Sequence, residues 1–294
     1  MIIANSVYIF AKLVTFKMQS LQDYIDDSTC KDKKAKEALA SAEPKAVYSV
    51  KKAIASYGGP IFRVRYVFKD ATEEIFYEGG VLRTNTGTPL ACLSKPNVYM
   101  VDTWYDQSGN NLHAVQKDKA KQPYLVLREN SGYVVDFKYC RYLTLPDGTV
   151  PCGAEPYSVI FKHWDIANPI GGVLGSGNYE CHSACNAIRR NGNAYVNYLW
   201  SNDLHTTGGS YKPGNVVAFI FSSAKKHASS INGEINVTRG NVNRFSSPEN
   251  NTIGKTYGEN EYLNGELEYL YITEEVSRTN VSLASGVWSE SNVF

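Results

Sequence analysis

Gly265-Glu-Leu-Glu-Tyr-Leu-Tyr-Ile-Thr273 sets Leu267, Tyr269 and Tyr271 against Glu266, Glu268 and Leu270. This period-two alternation marks a strand with one polar face. Two earlier segments complete a recurring order. Asn215 to Ser223 (NVVAFIFSS) reads as a strand. Lys225 to Val237 (KKHASSINGEINV) reads as a second strand turned at Asn232-Gly233, which can supply the two positive-φ positions of a type I′ hairpin. Working back along the chain, strands are expected at Ile61 to Phe68, Glu74 to Tyr77, Val98 to Tyr105, Tyr133 to Phe137, Tyr142 to Leu145, Tyr157 to Trp164, Val173 to Gly177, Asn186 to Arg190 and Ala194 to Trp200. About twelve short strands separated by Gly, Asn and Pro describe an all-β, two-sheet sandwich. No βαβ rhythm or Gly-rich phosphate loop accompanies them.

The totals agree with this class. A chain of 294 residues accommodates one large sandwich plus an extra segment. Thirty basic and 29 acidic residues leave a net charge of +1, so no global field draws the protein to nucleic acid or an anionic membrane. Its 21 tyrosines suit strands and, more weakly, sugar recognition. Residues 1–45 read as an N-terminal arm, partly helical: 18–43 are charged and Ala-rich, Asp27-Ser28 can cap a helix, and Pro44 ends it. The apolar start MIIANSVYIFAKLVTF lacks a basic n-region and is interrupted by Lys12, so it reads as a packing arm rather than a signal or membrane span. Residues 46–294 form the sandwich, beginning with a short amphipathic helix on Val47, Val50 and Ile54 closed by Gly58-Gly59.

Six cysteines, without paired CxxC clusters, indicate neither a zinc ribbon nor a dense disulfide framework. Most are expected as buried thiols, and a Cys140–Cys152 bridge across a turn is compatible with the spacing. Cys181 and Cys185 would need two further ligands to hold a metal, and the histidines are isolated. No metal, calcium loop or other cofactor is indicated.

Thr103 to Gln116, TWYDQSGNNLHAVQ, is the most specific segment of the chain. Within it Trp104, Tyr105, Asp106, Gln107, Ser108 and Gly109 read first as a well-built turn, because Asp and Ser can bond the local backbone and Gly109 can take φ > 0. With AVYS from Ala46 and the arginines of FRVR at Arg63 and Arg65, the segment resembles the arabinofuranosidase B catalytic-domain family, in a divergent form like those in phage and large DNA virus proteins. The C-terminal strand order resembles laminin-G and concanavalin-type jelly rolls, in which a short helix such as Val281 to Trp288 follows the last strand. The resemblance implies a concanavalin-like antiparallel β-sandwich over roughly Ala46 to Trp288.

It also implies two catalytic carboxyls, because a retaining glycosidase meets its oxocarbenium-like transition state from both sides. The family's nucleophile Glu falls in a D-x-E-N-N stretch; the matching Tyr195 to Leu204 holds Ser201 near that slot and Asp203 as its only acid. The acid/base Asp matches IGKTYGEN, where Glu259 is the nearest carboxyl, and the family's Cys-Cys pair corresponds to Gly171-Gly172.

From this departure the expected function is a non-enzymatic structural or attachment protein, a minor capsid or tail component of a virion that contacts other protein subunits. Two alternatives stand beside it. In a lectin-like module, Trp200, Tyr198 and Tyr257 would stack on glycans while Asn202, Asp203 and Asn260 bind hydroxyls. In a divergent α-L-arabinofuranosidase-type hydrolase, Asp203 and Glu259 would form the dyad.

Overall fold

The computed structural model describes residues 44–90, 99–128, 132–179, 181–256 and 261–274. The helical arm and the helix expected at 281–288 lie outside them. The described residues are antiparallel strands joined by turns, with no α-helix among them. In chain order these are β1 (Ala46–Ser49), β2 (Phe62–Tyr66), β3 (Ala71–Glu78), β4 (Val81–Thr84), β5 (Tyr99–Trp104), β6 (Ala114–Val115), β7 (Tyr124–Arg128), β8 (Gly132–Asp136) and β9 (Leu143–Thr144). The second half supplies β10 (Tyr157–Ile166), β11 (Ile170–Gly175), β12 (Ala187–Asn191), β13 (Ala194–Tyr198), β14 (Leu204–His205), β15 (Val216–Phe221), β16 (His227–Ile231), β17 (Glu234–Arg239), β18 (Thr252–Ile253) and β19 (Gly265–Thr273).

Two ladders build the sandwich. One runs β17-β16-β15-β10-β19, continues through β1 and β8 along the far edge of β19, and reaches β5 through β7. The other runs β14-β13-β12-β11-β18-β9-β6 and also reaches β5. β5 therefore stitches the layers together along one side. Phe161, Phe219, Phe221, Leu270 and Ile272 of the first ladder share a core with Val173, Leu174, Ile188, Tyr195 and Ile253 of the second.

β15 is buried on both faces, Val217, Phe219 and Phe221 toward the main core and Val216, Ala218 and Ile220 in a second cluster. A strand covered on both sides has no reason to alternate, which is why NVVAFIF is continuously apolar. β19 corrects its expected polar face. His163 pairs with Leu267 and Lys162 with Tyr269, so Glu268 is an extra residue that shifts the phase of the strand. Glu266 and Glu268 are both buried, held by Arg128 and Lys138 and by Lys51 and Lys162 respectively.

The helix expected from Val47, Val50 and Ile54 is instead β1, paired with β19 from Ala46↔Ile272 to Ser49↔Tyr269. What holds it there is the turn after β5. Asp106 is 1% exposed, and its carboxylate accepts from Val47 N (2.8 Å), Ser108 N (2.9 Å), Ser108 Oγ (2.7 Å) and Leu112 N (3.1 Å). Gln107 accepts from Ala53 N and donates to the carbonyls of Ser49 and Lys51. Trp104 is fully buried, stacks on Phe62 at 5.7 Å and donates Nε1 to Ser49 O. The motif is thus a clamp on the chain leaving β1, with Gly109 supplying the left-handed step at φ 95° and Tyr105 donating to Glu74.

Candidate functional site

The turn after β13 gathers three of the residues singled out in the sequence. Trp200 sits at φ 74°, a conformation that is an outlier for a bulky side chain and that marks strain held by surrounding structure. Asp203 Oδ1 accepts from Leu199 N (2.8 Å), which closes the turn, and Arg239 donates to the Asp203 carbonyl. Asn202 Nδ2 donates to Ser183 Oγ (2.8 Å) and to Asn243 O (3.4 Å), tying the turn to two neighbouring loops. Trp200 packs edge-on against Tyr198 at 5.7 Å. Tyr257, Glu259 and Asn260 lie outside the described residues. Ser201, nearest the expected nucleophile slot, is exposed.

Two residues not singled out in the sequence complete this pole. Arg189 on β12 lies over the Tyr198 ring at 4.4 Å and pairs with Glu261 Oε1 at 2.6 Å; Thr256 Oγ1 donates to Glu261 Oε2 at 2.6 Å. Gly172 lets this segment approach β11. A Cβ there would fall 2.5 Å from both Glu261 O and Thr256 N, so a larger residue at this place would push the carboxylate-bearing segment away. Burial raises the Tyr198 hydroxyl pKa, and Asp203 and Glu261 raise it further against the opposing Arg189. Both carboxylates therefore act electrostatically on the same hydroxyl.

The cysteines behave otherwise than expected. Cys140 and Cys181 are exposed, Cys152 is half-buried, and Cys140 and Cys152 are free thiols rather than a bridge. Cys185 is the buried one among the described residues; burial first, then Asp203, pushes its pKa up to about 12. Cys185 Sγ donates to the Tyr198 carbonyl at 3.5 Å.

Beneath the pole is a buried polar cluster. Tyr157 OH donates to Asn186 Oδ1 and Asn197 Oδ1, Asn197 Nδ2 donates to Asn186 Oδ1, and His227 Nε2 bonds Asn197 Oδ1 at 2.8 Å. On the same side of β10, His163 Nε2 bonds Tyr195 OH at 2.6 Å. Burial holds the His227 pKa down to about 3 and that of His163 to about 4. Both rings are neutral in the folded protein and charge on unfolding below about 6.5. The unfolded state then binds more protons, so stability is fully present above about pH 6.5 and is lost as pH falls toward 4. Each histidine contributes a slope of about 1.4 kcal/mol per pH unit in that window. Urea midpoints at pH 7, 6 and 5 should fall accordingly, and His163→Gln should flatten the dependence.

No protein-family model matches the chain, nor does any curated protein sequence. Solved structures do match. An arabinofuranosidase complexed with arabinofuranosyl-α-1,2-xylobiose superposes with TM-score 0.62 at 13% identity, covering 82% of this chain and 63% of the other. A point mutant of a GH54 α-L-arabinofuranosidase soaked with 4-nitrophenyl α-L-arabinofuranoside gives TM-score 0.64 at 13% identity, covering 85% and 65%. The chain thus spans less than two thirds of the length of these two. At this identity the likeness establishes the β-sandwich scaffold expected from TWYDQSGN and the C-terminal strands. It overturns the reading of a non-enzymatic virion component: the neighbours are glycoside hydrolases, and none of them supports a phage or viral form, or protein-subunit partners.

Proposed function

We propose that the chain is a carbohydrate-active protein of the glycoside hydrolase class, acting on furanosyl-containing glycans at the Trp200 pole. The observation that carries this is the scaffold shared with arabinofuranosidases, on which Trp200 packs against Tyr198 and Arg189, over the Tyr198 ring, pairs with Glu261, with Asp203 in the turn that follows Trp200. The neighbours bind arabinofuranosides, which supplies the substrate class. Aromatic faces fit the apolar side of a sugar ring, and the Asn202 and Arg189 donors fit hydroxyls. Glu261, oriented by Arg189 and Thr256, and Asp203, which closes the turn after Leu199, are the carboxyls we assign to the reaction, with Glu259, two positions before Glu261 in the sequence, as a further acid.

A second reading, sugar binding without cleavage, is favoured by one observation: both described carboxylates already accept hydrogen bonds from the protein itself. Trp200→Ala tests the shared part of both readings. It should raise KM for 4-nitrophenyl α-L-arabinofuranoside, or weaken binding of arabinan fragments, by about tenfold, as loss of an aromatic contact implies. Unchanged KM and unchanged binding would remove the pole as the sugar site.

A further inference from the structure

Away from the Trp200 pole, β3, β2 and β5 carry a groove of about 430 Å³, within the range of small-ligand sites. Its floor is apolar. Tyr66 lies directly opposite Tyr99 across the β2–β5 ladder, their rings 5.7 Å apart, with Val64 beside them. Phe68, 69% exposed, extends this surface at the hairpin tip with its ring 5.6 Å from that of Tyr66. The walls are polar: Thr72, Glu73 and Asn85, with Lys69 at the tip.

We propose that this groove is a binding subsite for a neutral oligosaccharide, separate from the Trp200 pole and sharing no residue with it. Two features select that chemistry. First, an aromatic floor ringed by donors and acceptors matches a ligand whose rings have apolar faces and hydroxyl edges. Second, one lysine and one glutamate cancel, so the groove has no field for a polyanion or polycation. The side chains of Lys69, Thr72, Glu73 and Asn85 and the hydroxyls of Tyr66 and Tyr99 make no hydrogen bond or ion pair with other described residues.

Only the choice of probes rests on the carbohydrate-directed reading of the Trp200 pole. Titration calorimetry of the full chain with arabinan- and xylan-derived oligosaccharides, with acidic pectic oligomers for comparison, tests the proposal. Trp200→Ala is used as the background, so that the pole and the groove can fail separately. A neutral oligosaccharide should still bind this background, and Phe68→Ala or Tyr66→Ala should weaken that binding by about tenfold. Asn85→Ala, an exposed and fold-neutral change, should weaken it several-fold, and Phe68→Ala and Asn85→Ala should leave cleavage of a small chromogenic furanoside untouched. The proposal is overturned if the Trp200→Ala chain binds no neutral oligosaccharide at millimolar concentration, if the acidic oligomers bind better, or if all three groove variants bind as their background does.

Discussion

Asp106→Ala should lower the unfolding free energy by about 3–5 kcal/mol, a loss large enough to unfold a marginal domain at physiological temperature. The carboxylate lies in a buried turn and accepts four hydrogen bonds, two of them from the backbone of segments far apart in the chain or on the far side of the turn, Val47 N and Leu112 N. Truncation leaves these donors without acceptors in a place that water does not reach. It also frees β1, whose register on β19 closes the upper edge of the first ladder. Asp106→Asn keeps one carbonyl oxygen and the shape of the side chain, so about 1–3 kcal/mol should be lost instead. Urea unfolding of the two variants checks the order. A loss below about 1 kcal/mol for Asp106→Ala would mean that the turn is not what holds β1.

How much of this was legible in the sequence depends on the range of the interaction. β16 and β19 run over the expected residues, and β10 and β15 lie within a residue or two of expectation, because their apolar content and turn punctuation are local signals. The two-residue strands β6, β9, β14 and β18 are too short for any periodicity, and they exist because neighbouring strands supply partners. In the sequence β1 reads as a helix because Val47, Val50 and Ile54 fit a helical period. A pairing with residues more than two hundred positions later decides the matter, and nothing local encodes it. The same holds for the alternation in GELEYLYIT, which a bulge at Glu268 breaks.

The site divides in the same way. Trp200, Asn202 and Asp203 draw attention in the sequence because Tyr195 to Leu204 matches the stretch that holds the nucleophile in the family it resembles, and the structure places the three in one turn. Arg189 and Glu261 do not, since their ion pair spans 72 positions and each alone reads as an ordinary surface charge. Gly172 was noted for lacking a cysteine; its close contact with Thr256 and Glu261 gives its presence a positive reason.

The second large effect concerns the carboxyls. Glu261→Gln and Asp203→Asn should each reduce furanoside cleavage by about a hundredfold or more, the usual contribution of a positioned acid, base or nucleophile. Both substitutions are nearly isosteric. Asn at 203 retains the oxygen that accepts from Leu199 N, and Gln at 261 retains an oxygen for Thr256, so folding should survive. Arg189→Ala, by releasing the Glu261 carboxylate from its orienting partner, should lower kcat more than it changes KM.

The most direct test is release of 4-nitrophenol from 4-nitrophenyl α-L-arabinofuranoside by the purified chain. The account predicts turnover above the uncatalysed rate, suppressed in Glu261→Gln and in Asp203→Asn while both variants keep wild-type unfolding midpoints. Absence of turnover, or turnover undiminished in both variants and in Glu259→Gln, would contradict it.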